Sequence, residues 1–396
     1  MQINATANWG STGRIAEQIN IKAQQCGWEC YVVYGRNSNS SESKLIKVGN
    51  YFNTCCHYIE NRLFDKEGLA SRLTTKKLIK QIKNIKPNII HLHNIHDHWL
   101  NYKLLFEFLN STSINVIWTF HDCWAFTGHC YHFIYKECNK WIKGCNNCPI
   151  NTSLIDRSYK NYELKKTLFT TNSNIHIVTV SNWLMELTKK SFFKNKNIHL
   201  IENGINLSIF KPNNEYVNTY KNKFVILAVS SQWKGGNKGL KDYISLSKIL
   251  RSDEIIILVG IPEKMKQTLP SNIIGITRTN NQHELAALYS RADVVVSFSS
   301  AETFGLTIVE GYACGTPAVV YNNTALPSLI TNKTGFLVPD KDYKAAYEAI
   351  KKIRIKGKGY FSKACIELAK QKYNQEYCFD KYINLYDDIL LNRSRK

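Results

Sequence analysis

The chain has 396 residues, of which 44% are hydrophobic and 21% charged, a composition typical of globular proteins. Its apolar stretches are far shorter than the roughly 20 residues that a membrane-spanning helix needs, so we expect no spanning segment. The length favours two domains, since a domain usually holds roughly 100 to 200 residues. The net charge of +21 is spread over both halves, and residues 1–10 carry no secretory signal, so we expect a cytosolic protein.

Short apolar runs alternate with helical patterns, which predicts parallel sheets covered by helices on both faces. The predicted strands are 2–4, 31–34, 88–92, 115–120, 176–180 and 199–201, then 224–229, 254–259, 272–276, 294–296 and 318–321. A polar stretch with Gly204 and Pro212 separates the two series. The sequence therefore predicts an α/β protein with two Rossmann-like domains, 1–205 and 206–375, and a final helix, 376–396, packing back on the first.

A glycine-containing turn, residues 9–17, follows the first predicted strand. Glycine lets the backbone approach a ligand closely, so Gly10 and Gly13 are candidate binding residues. The pattern alone is common in strand-to-helix turns, and its interpretation depends on signals elsewhere in the chain.

The segment between Glu67 and Asp97 contains no acidic residue, and its part from Arg72 to Lys86 is predicted to form a helix. Its basic residues are Arg72, Lys76, Lys77, Lys80, Lys83 and Lys86, and its apolar face consists of Leu78, Ile79, Ile82 and Ile85. Two interpretations fit this pattern: a helix lying on an anionic membrane surface, or an ordinary helix that packs its apolar stripe on a sheet. The strand that follows at once favours the second.

Histidines and aspartates follow two of the predicted strands. His121 and Asp122 come directly after strand 115–120, and His96 and Asp97 lie shortly after strand 88–92. Ligands bind outside the carboxyl ends of parallel strands, so these four residues are candidates for a binding site. The His-x-His pattern of His91 and His93 fits the end of strand 88–92 better than a metal site.

Of the five cysteines in an insertion, residues 123–150, four form a spaced group. They are Cys130, Cys138, Cys145 and Cys148, separated by seven, six and two residues. A Cys-x2-Cys pair with two further cysteines is a pattern that binds zinc tetrahedrally. Disulfides and unlinked thiols are the alternatives, and a cytosolic location disfavours disulfides. A structural zinc site is therefore a hypothesis for this insertion.

The second half contains the strongest signal, which follows the predicted strand 294–296. Seven residues separate Glu302 from Glu310, so the first lies in a loop and the second about two turns into the next helix. We expect that helix to be opened by the amides of Thr303, Phe304, Gly305 and Leu306. A helix N-terminus binds phosphate, and a carboxylate beside it can accept hydrogen bonds from sugar or ribose hydroxyls.

This segment resembles the Glu-x7-Glu motif of retaining glycosyltransferases of family 4, which have the GT-B fold. The flanks agree as well, with Thr303–Phe304–Gly305 inside the motif and Gly315–Thr316–Pro317 after it. The resemblance covers nearly the whole chain, most tightly residues 224–339. It implies two Rossmann-like domains facing across a cleft, the first binding the acceptor and the second the nucleotide sugar.

The resemblance implies roles in the second domain: Glu302 at the donor sugar, Glu310 at the nucleotide ribose and Lys238 at the departing diphosphate. Family members also carry an arginine early in the glycine-rich turn 228–240. Gln232–Trp233 lies in that area here, so Lys234 is the candidate substitute. Arg278, after strand 272–276, is expected to contact the nucleobase.

In the first domain, the resemblance implies that Gly10 and Gly13 approach the donor phosphates. His121 falls at the position of the family's active-site histidine, where it would contact a sugar hydroxyl or the acceptor. His96, Asp97 and Asp122 are the expected acceptor-side residues, and the insertion 123–150 is expected to shape the acceptor pocket.

With this resemblance, the sequence predicts a retaining, metal-independent glycosyltransferase that needs no cofactor for catalysis. The expected donor is a UDP- or GDP-sugar, and the expected acceptor is an oligosaccharide or a polyprenyl-diphosphate-linked glycan in bacterial surface polysaccharide synthesis. A peripheral location at the inner face of the cytoplasmic membrane fits the basic helix. The alternatives are a nucleotide-sugar hydrolase or epimerase of the same fold, and a basic nucleic-acid-binding protein, which has no use for the paired glutamates.

Overall fold

The computed structural model describes residues 1–213, 220–231, 233 and 237–394, with side chains up to residue 391. The chain divides into two compact units. The first comprises Met1–Glu202 and the chain from Phe379 onward, and the second comprises Asn203–Cys378. The sequence predicted these divisions after residues 205 and 375. It also predicted that the first domain binds the acceptor and the second the nucleotide sugar, and both roles remain predictions.

The first unit is built on a sheet of seven parallel strands in the order β3-β2-β1-β4-β5-β6-β7. Its strands are β1 (Gln2–Ile3), β2 (Tyr31–Tyr34), β3 (Lys44–Lys47), β4 (Ile89–Leu92), β5 (Asn115–Phe120), β6 (Ile175–Thr179) and β7 (Asn197–Leu200). Its helices are α1 (Gly10–Gln25), α2 (Tyr51–Phe64), α3 (Arg72–Ile85), α4 (Tyr102–Asn110), α5 (Ser158–Thr171) and α6 (Asn182–Lys190). Strands β4 and β5 are buried at every position, as expected for a sheet covered on both faces.

The second unit repeats this architecture with six parallel strands in the order β10-β9-β8-β11-β12-β13. Its strands are β8 (Phe224–Val229), β9 (Glu254–Val259), β10 (Ile273–Ile276), β11 (Val294–Ser297), β12 (Ala318–Tyr321) and β13 (Gly335–Val338). The helices are α7 (Leu240–Ser247), α8 (Glu263–Lys266), α9 (Gln282–Arg291), α10 (Leu306–Ala313), α11 (Tyr343–Lys356) and α12 (Lys358–Lys372), and α13 (Gln375–Ser394) completes the chain. The predicted α/β class with two Rossmann-like sheets is confirmed.

Strands β3 and β13 are the ones that the sequence did not predict. Both lie at the outer edge of a sheet, where a strand is flanked on one side only. In β3 three of the four residues are exposed, so it has no buried apolar run to identify it. An edge strand of four residues, partly exposed to solvent, gives too weak a periodicity to be recognised in the sequence.

Helix α3 decides between the two interpretations of the basic segment. Leu78 and Ile82 are buried in the core, and the helix packs against α4. The apolar stripe is therefore used in packing, as in an ordinary helix on a sheet. Among the described residues, no helix combines the length and the apolar composition needed to cross a membrane.

The last helix, α13, is tied to the first sheet by a buried tyrosine. The hydroxyl of Tyr386 lies 2.6 Å from His91 Nδ1 and accepts a hydrogen bond of 3.2 Å from Gln2 Nε2. Gln2 and His91 belong to the neighbouring strands β1 and β4. A single hydroxyl thus satisfies polar groups of two central strands in a region without access to water.

We expect Tyr386→Phe to lower the free energy of unfolding by about 1–3 kcal/mol, because it leaves two buried polar groups without their shared partner. Urea denaturation followed by tryptophan fluorescence measures the change. The matched control is Tyr360→Phe, which removes a hydroxyl from a side chain that is 63% exposed. Equal unfolding midpoints for Tyr386→Phe and the control would contradict this role.

Candidate active site

In each sheet, the strand order reverses between two central neighbours, β1 and β4 in the first unit and β8 and β11 in the second. The loops that follow such neighbours run in opposite directions and leave a crevice at the carboxyl edge, where parallel sheets bind their ligands. The predicted residues Gly10 and Gly13 follow β1, Lys238 follows β8 and Glu302 follows β11.

The loop after β11 carries Glu302 and is fixed against the segment that follows β12. The amide of Glu302 donates to Thr324 Oγ1 at 3.1 Å, and its carbonyl accepts from the amide of Ala325 at 3.1 Å. The side chain of Glu302 is 22% exposed. The backbone is thus held rigidly while the carboxylate remains accessible to a ligand.

Lys238, in the turn after β8, forms an ion pair with Glu302 and lies 3.4 Å from Ser299 Oγ. Gly239 makes this close approach possible. Its φ of +69° lies in the left-handed region, and a Cβ atom there would come within 2.4 Å of the carbonyl oxygen of Phe298. The turn therefore rests directly on the end of β11 and places an ammonium group beside a carboxylate.

Helix α10 begins later than the sequence predicted. Gly305, with a φ of +105°, is its N-cap, so Leu306 is the first helical residue and Thr303 and Phe304 precede the helix. A left-handed backbone cannot continue into a right-handed helix, which is the physical reason for the shift. As a correction, Glu310 lies little more than one turn into α10 instead of two.

The carboxylate of Glu310 is oriented by a buried tyrosine of α9. Tyr289 Oη donates to Glu310 Oε2 at 2.9 Å. Burial, together with the charge of Glu310, raises the pKa of Tyr289 well above its usual value, so the phenol stays protonated. Glu310 is therefore held in one orientation by a neutral donor.

The remaining predicted donor residues are Arg278 and Lys234. Arg278 follows β10 on an exposed turn. Gln232 and Lys234 lie outside the described residues. Between them, Trp233 is buried, and its Nε1 donates to the carbonyl of Val259 at 2.9 Å, so it anchors the turn to β9.

In the first unit, Gly10 and Gly13 open helix α1 after the loop that follows β1. A Cβ atom at Gly13 would lie 2.7 Å from Thr6 Oγ1, so a glycine is needed for the loop to fold against the helix. The side chain of Asn4 accepts a hydrogen bond of 3.2 Å from the amide of Asn94, which connects this loop to the end of β4.

A chain of hydrogen bonds crosses the ends of β1, β4 and β5. Gln2 Oε1 lies 2.7 Å from His93 Nε2, and His93 Nδ1 lies 3.0 Å from His121 Nε2. An amide oxygen only accepts, so His93 carries its proton on Nε2, and His121 donates from Nε2 to His93 Nδ1. Burial lowers the pKa of His121 to about 4. His121 is therefore neutral at pH 7, with Nδ1 as a hydrogen-bond acceptor.

His96 and Asp122 form the second part of this edge. His96 Nε2 lies 2.8 Å from Asp122 Oδ2, and its Nδ1 lies 3.6 Å from Asp97 Oδ1. Burial acts to lower the pKa of His96, but the carboxylates of Asp122 and Asp97 outweigh it and raise the pKa to about 10. At neutral pH the group is an imidazolium between two carboxylates.

Three residues that the sequence did not predict complete this cluster. Glu67 accepts hydrogen bonds from the amide of Asp97, at 3.0 Å, and from the hydroxyl of Tyr131. Arg36 forms an ion pair with Asp97. Glu67 and Arg36 come from segments far away in sequence, and no local pattern signals either of them. Tyr131 lies in the insertion, next to Cys130.

The four predicted cysteines of the insertion are free thiols that share one small cavity. Cys130 and Cys145 are buried, and Cys138 and Cys148 are half-buried. All four line a cavity of about 10 Å³ together with Phe133 and Trp141. The structure therefore brings the four predicted cysteines together around a common space.

Comparisons with known proteins agree with this architecture. The model "Glycosyltransferase Family 4" matches residues 16–209, and the model "Glycosyl transferases group 1" matches residues 210–372. WcaC from Escherichia coli K12, a glycosyl transferase named for colanic acid biosynthesis, is 20% identical over 98% of this chain and 99% of its own.

Two solved structures share the fold over nearly their whole length. Sucrose-phosphate synthase from Thermosynechococcus elongatus has a TM-score of 0.73 and 18% identity, covering 99% of this chain and 98% of that chain. Anabaena HepE in complex with UDP and glucose has a TM-score of 0.68 and 13% identity, covering 98% of each chain.

We expect the imidazole of His96 to remain protonated through neutral pH, because the attraction of Asp122 and Asp97 exceeds the opposing effect of burial on its pKa. Asp122→Asn removes one of these charges and should lower the pKa of His96 by about 1 to 3 pH units. Side-chain ¹⁵N NMR of labelled histidine measures both values. The control is Asp156→Asn, in a carboxylate that does not contact His96, and an equal response to both substitutions would refute the assignment.

Proposed function

Because the chain belongs to the family-4 glycosyltransferases and has the GT-B fold, we propose that it transfers a sugar from a nucleoside-diphosphate sugar to a glycan acceptor with retention of configuration. The observation that carries the proposal is the Lys238–Glu302 ion pair at the strand reversal of the second sheet. The pair supports the proposal because a cation suited to a diphosphate lies beside a carboxylate suited to a sugar, in a crevice of the kind where parallel sheets bind nucleotides.

In the proposed donor complex, each group of the second unit has one task. Lys238 and the amides at the start of α10 bind the diphosphate, since free N–H groups and the positive end of the helix dipole favour phosphate. Glu302 accepts hydrogen bonds from the sugar, and Glu310, oriented by Tyr289, accepts them from the ribose. Arg278 and Lys234 are proposed as further nucleotide contacts.

The proposed reaction breaks the bond between the anomeric carbon and the diphosphate oxygen. The electron pair leaves with the diphosphate, where Lys238 and α10 stabilise the developing charge, usually the largest catalytic contribution. The acceptor hydroxyl attacks from the same face, and its proton passes to the departing phosphate oxygen. Neither a protein base nor a metal ion is required for this sequence of steps.

The polar groups of the first unit fit the handling of hydroxyl groups. The Nδ1 atom of His121 is an acceptor that suits a hydroxyl of the sugar or of the acceptor. Asp122, Asp97 and His96 are proposed to bind hydroxyls of the acceptor glycan, because buried charged groups make strong and directional hydrogen bonds. Gly10 and Gly13 are proposed to give the donor phosphates access to the start of α1.

Two relatives support narrower statements about substrates. The HepE structure contains UDP and glucose, which supports UDP as the first nucleotide to test, with GDP as the second. WcaC is named for colanic acid biosynthesis, which supports a role in bacterial surface polysaccharide assembly on a lipid-linked acceptor.

An exposed apolar surface supports the proposed location at the membrane. Helix α2 buries only His57, whereas Tyr51, Phe52 and Ile59 are each more than half exposed. His57 Nδ1 lies 2.8 Å from Ser71 Oγ, which fixes α2 beside the start of α3. Contiguous exposed apolar side chains mark interaction surfaces.

The start of α3 adds charge to this surface. Leu73 is 77% exposed, and Lys76 and Lys77 follow it at helical spacings that place them on the same side. An aromatic and aliphatic surface bordered by lysines fits the headgroup region of an anionic bilayer. We therefore propose that α2, with the first turn of α3, binds the cytoplasmic face of the membrane.

The proposed division of labour predicts that the two glutamates behave differently. We expect Glu310→Gln to weaken the binding of UDP or GDP alone on the order of tenfold, because a ribose contact is lost. Glu302→Gln should leave nucleotide affinity intact but lower sugar transfer on the order of 10²-fold to 10³-fold, because only the sugar contact is lost. Calorimetric titration and release of nucleoside diphosphate measure the two effects.

The matched control for both is Glu348→Gln, which makes the same change on the surface of α11, where Glu348 pairs with Lys351. It should match the wild type in both measurements. Full activity of Glu302→Gln, or the absence of UDP and GDP binding by the wild type, would refute the donor site.

For the membrane surface, we expect Phe52→Ser combined with Ile59→Ser to lower binding to phosphatidylglycerol vesicles at least about tenfold. Burying each side chain contributes about 1.5–3 kcal/mol at most. Flotation with vesicles measures the bound fraction. The control is Ile355→Ser, at a side chain of the second unit that is 85% exposed. Equal loss in the control, or no binding of the wild type at low salt, would contradict this surface.

A further inference from the structure

The cysteine-containing insertion has the composition and the polar surroundings of a metal site. Cys145 and Cys148 form a Cys-x2-Cys pair, and Cys130 and Cys138 line the same cavity from the preceding turns. The thiols of Cys130 and Cys148 are within hydrogen-bonding contact of each other. Four soft sulfur ligands around one space favour zinc over hard cations such as magnesium.

The cavity has the size of one small ligand. Its volume of about 10 Å³ corresponds to about one water-sized sphere. The remaining lining residues are Phe133 and Trp141, whose ring centroids lie 5.0 Å apart, with Lys140, Asn146 and Pro149. A cavity of this size fits a single ion and excludes an organic ligand.

Two of the sulfurs already receive hydrogen bonds of the kind that stabilise metal-bound thiolates. The amide of Gly128 donates to Cys145 Sγ at 3.2 Å, and His129 Nε2 lies 3.0 Å from Cys148 Sγ. His129 Nδ1 in turn lies 3.0 Å from Asp65 Oδ2. Carboxylates and histidines hydrogen-bonded in series around the ligands are a common outer shell of metal sites, and they fix ligand orientation.

The charge of the surroundings also suits a four-thiolate site. Binding one Zn²⁺ ion to four thiols releases four protons and leaves a net charge of −2. Lys165 is fully buried next to the insertion, and its ammonium donates to the carbonyls of Trp124 and Thr127 at 2.9 and 3.1 Å. A buried cation is costly unless negative charge lies nearby. Glu67 and Asp65 already attract Lys165, and a zinc–thiolate centre would add further negative charge.

We propose that Cys130, Cys138, Cys145 and Cys148 bind one structural Zn²⁺ ion tetrahedrally, with His129, itself held by Asp65, as the hydrogen-bonding partner of the Cys148 sulfur. In the described residues, two other triads of ligand atoms already lie within 4.8 Å of one another, Asp65–His129–Asp156 and Glu67–His96–Asp97, and neither contains a cysteine. No three of the four sulfurs, all of which belong to described residues, lie within 4.8 Å of one another, so zinc binding requires the sulfurs to move closer together.

The ion would stabilise the cluster of polar groups after β4 and β5. Cys130 directly precedes Tyr131, which donates to Glu67, and Asp122 accepts from the amide of Trp124 at 2.8 Å at the start of the insertion. Zinc would thus fix the insertion directly beside Tyr131, one of its contacts with this cluster. An effect of the ion on acceptor binding rests on the proposed function. The zinc content of the protein does not depend on that function.

The test begins with the full chain, purified under reducing conditions without added metal. Mass spectrometry of the metals should find one zinc ion per chain. A mercurial thiol reagent should release that zinc in stoichiometric amount, which a colorimetric chelator detects in the wild-type protein. Replacement by Co²⁺ should give the intense absorption of tetrahedral cobalt bound to thiolates. None of these measurements depends on a variant that folds, or on a sugar donor.

Variants then identify the ligands. Cys145→Ser and Cys148→Ser should each lower the zinc content to a small fraction, whereas Cys26→Ser, which removes an exposed thiol of the same unit, should retain it. His129→Gln leaves all four sulfurs in place and should weaken zinc affinity by roughly 10-fold to 100-fold, the usual effect of losing such a partner.

Three results would overturn the proposal. The first is a wild-type chain that contains no zinc and binds none when zinc is added to the reduced protein. The second is a mass that shows disulfides among the four cysteines after purification under reducing conditions. The third is X-ray absorption showing zinc with only nitrogen and oxygen ligands, which would assign the metal to the Asp65–His129–Asp156 triad.

Discussion

The parallel direction of every strand is the constraint on which the candidate site depends. Parallel strands bring all their carboxyl ends to one edge of a sheet, and a reversal of strand order separates the two central loops there. In the second unit, those loops carry Lys238 and Glu302. In the first unit, the edge carries His93 and His121. The chemistry of each unit therefore follows from its topology, because this edge brings together polar residues that are far apart in sequence.

Burial and the neighbouring charges together determine the protonation of the polar groups at the first edge. Gln2 donates to Tyr386 and accepts from His93, and this fixes the tautomer of His121 through a single series of hydrogen bonds. A few ångströms away, Asp122 keeps His96 charged. Neutral and charged imidazoles thus lie side by side because one has amide and imidazole partners and the other has carboxylates. An edge of this kind offers both an acceptor and strong donors to hydroxyl groups.

The sequence alone predicted the features that lie within one loop or one strand. Examples are the spacing of Glu302 and Glu310 and the buried apolar runs of the central strands. The cluster around Asp97 was only partly readable, since Glu67 and Tyr131 approach it through the fold. The exposed apolar face of α2 was missed for a related reason. Which residues of an apolar helix face solvent depends on its packing, and here only His57 is buried.

The ion pair of Lys238 and Glu302 can be exchanged for a charged ligand at low cost. Their side chains are 29% and 22% exposed, and a pair that solvent reaches contributes on the order of 1 kcal/mol or less. Exchanging this contact for a diphosphate therefore costs little free energy, and the attraction between Lys238 and the two negative charges of the ligand offsets that cost. In the proposed reaction, Lys238 moves its interaction to the phosphate while Glu302, still held by Thr324 and Ala325, turns to the sugar hydroxyls. Before binding, the ion pair leaves neither Lys238 nor Glu302 unpaired. In the proposed donor complex, the same two side chains contact the diphosphate and the sugar.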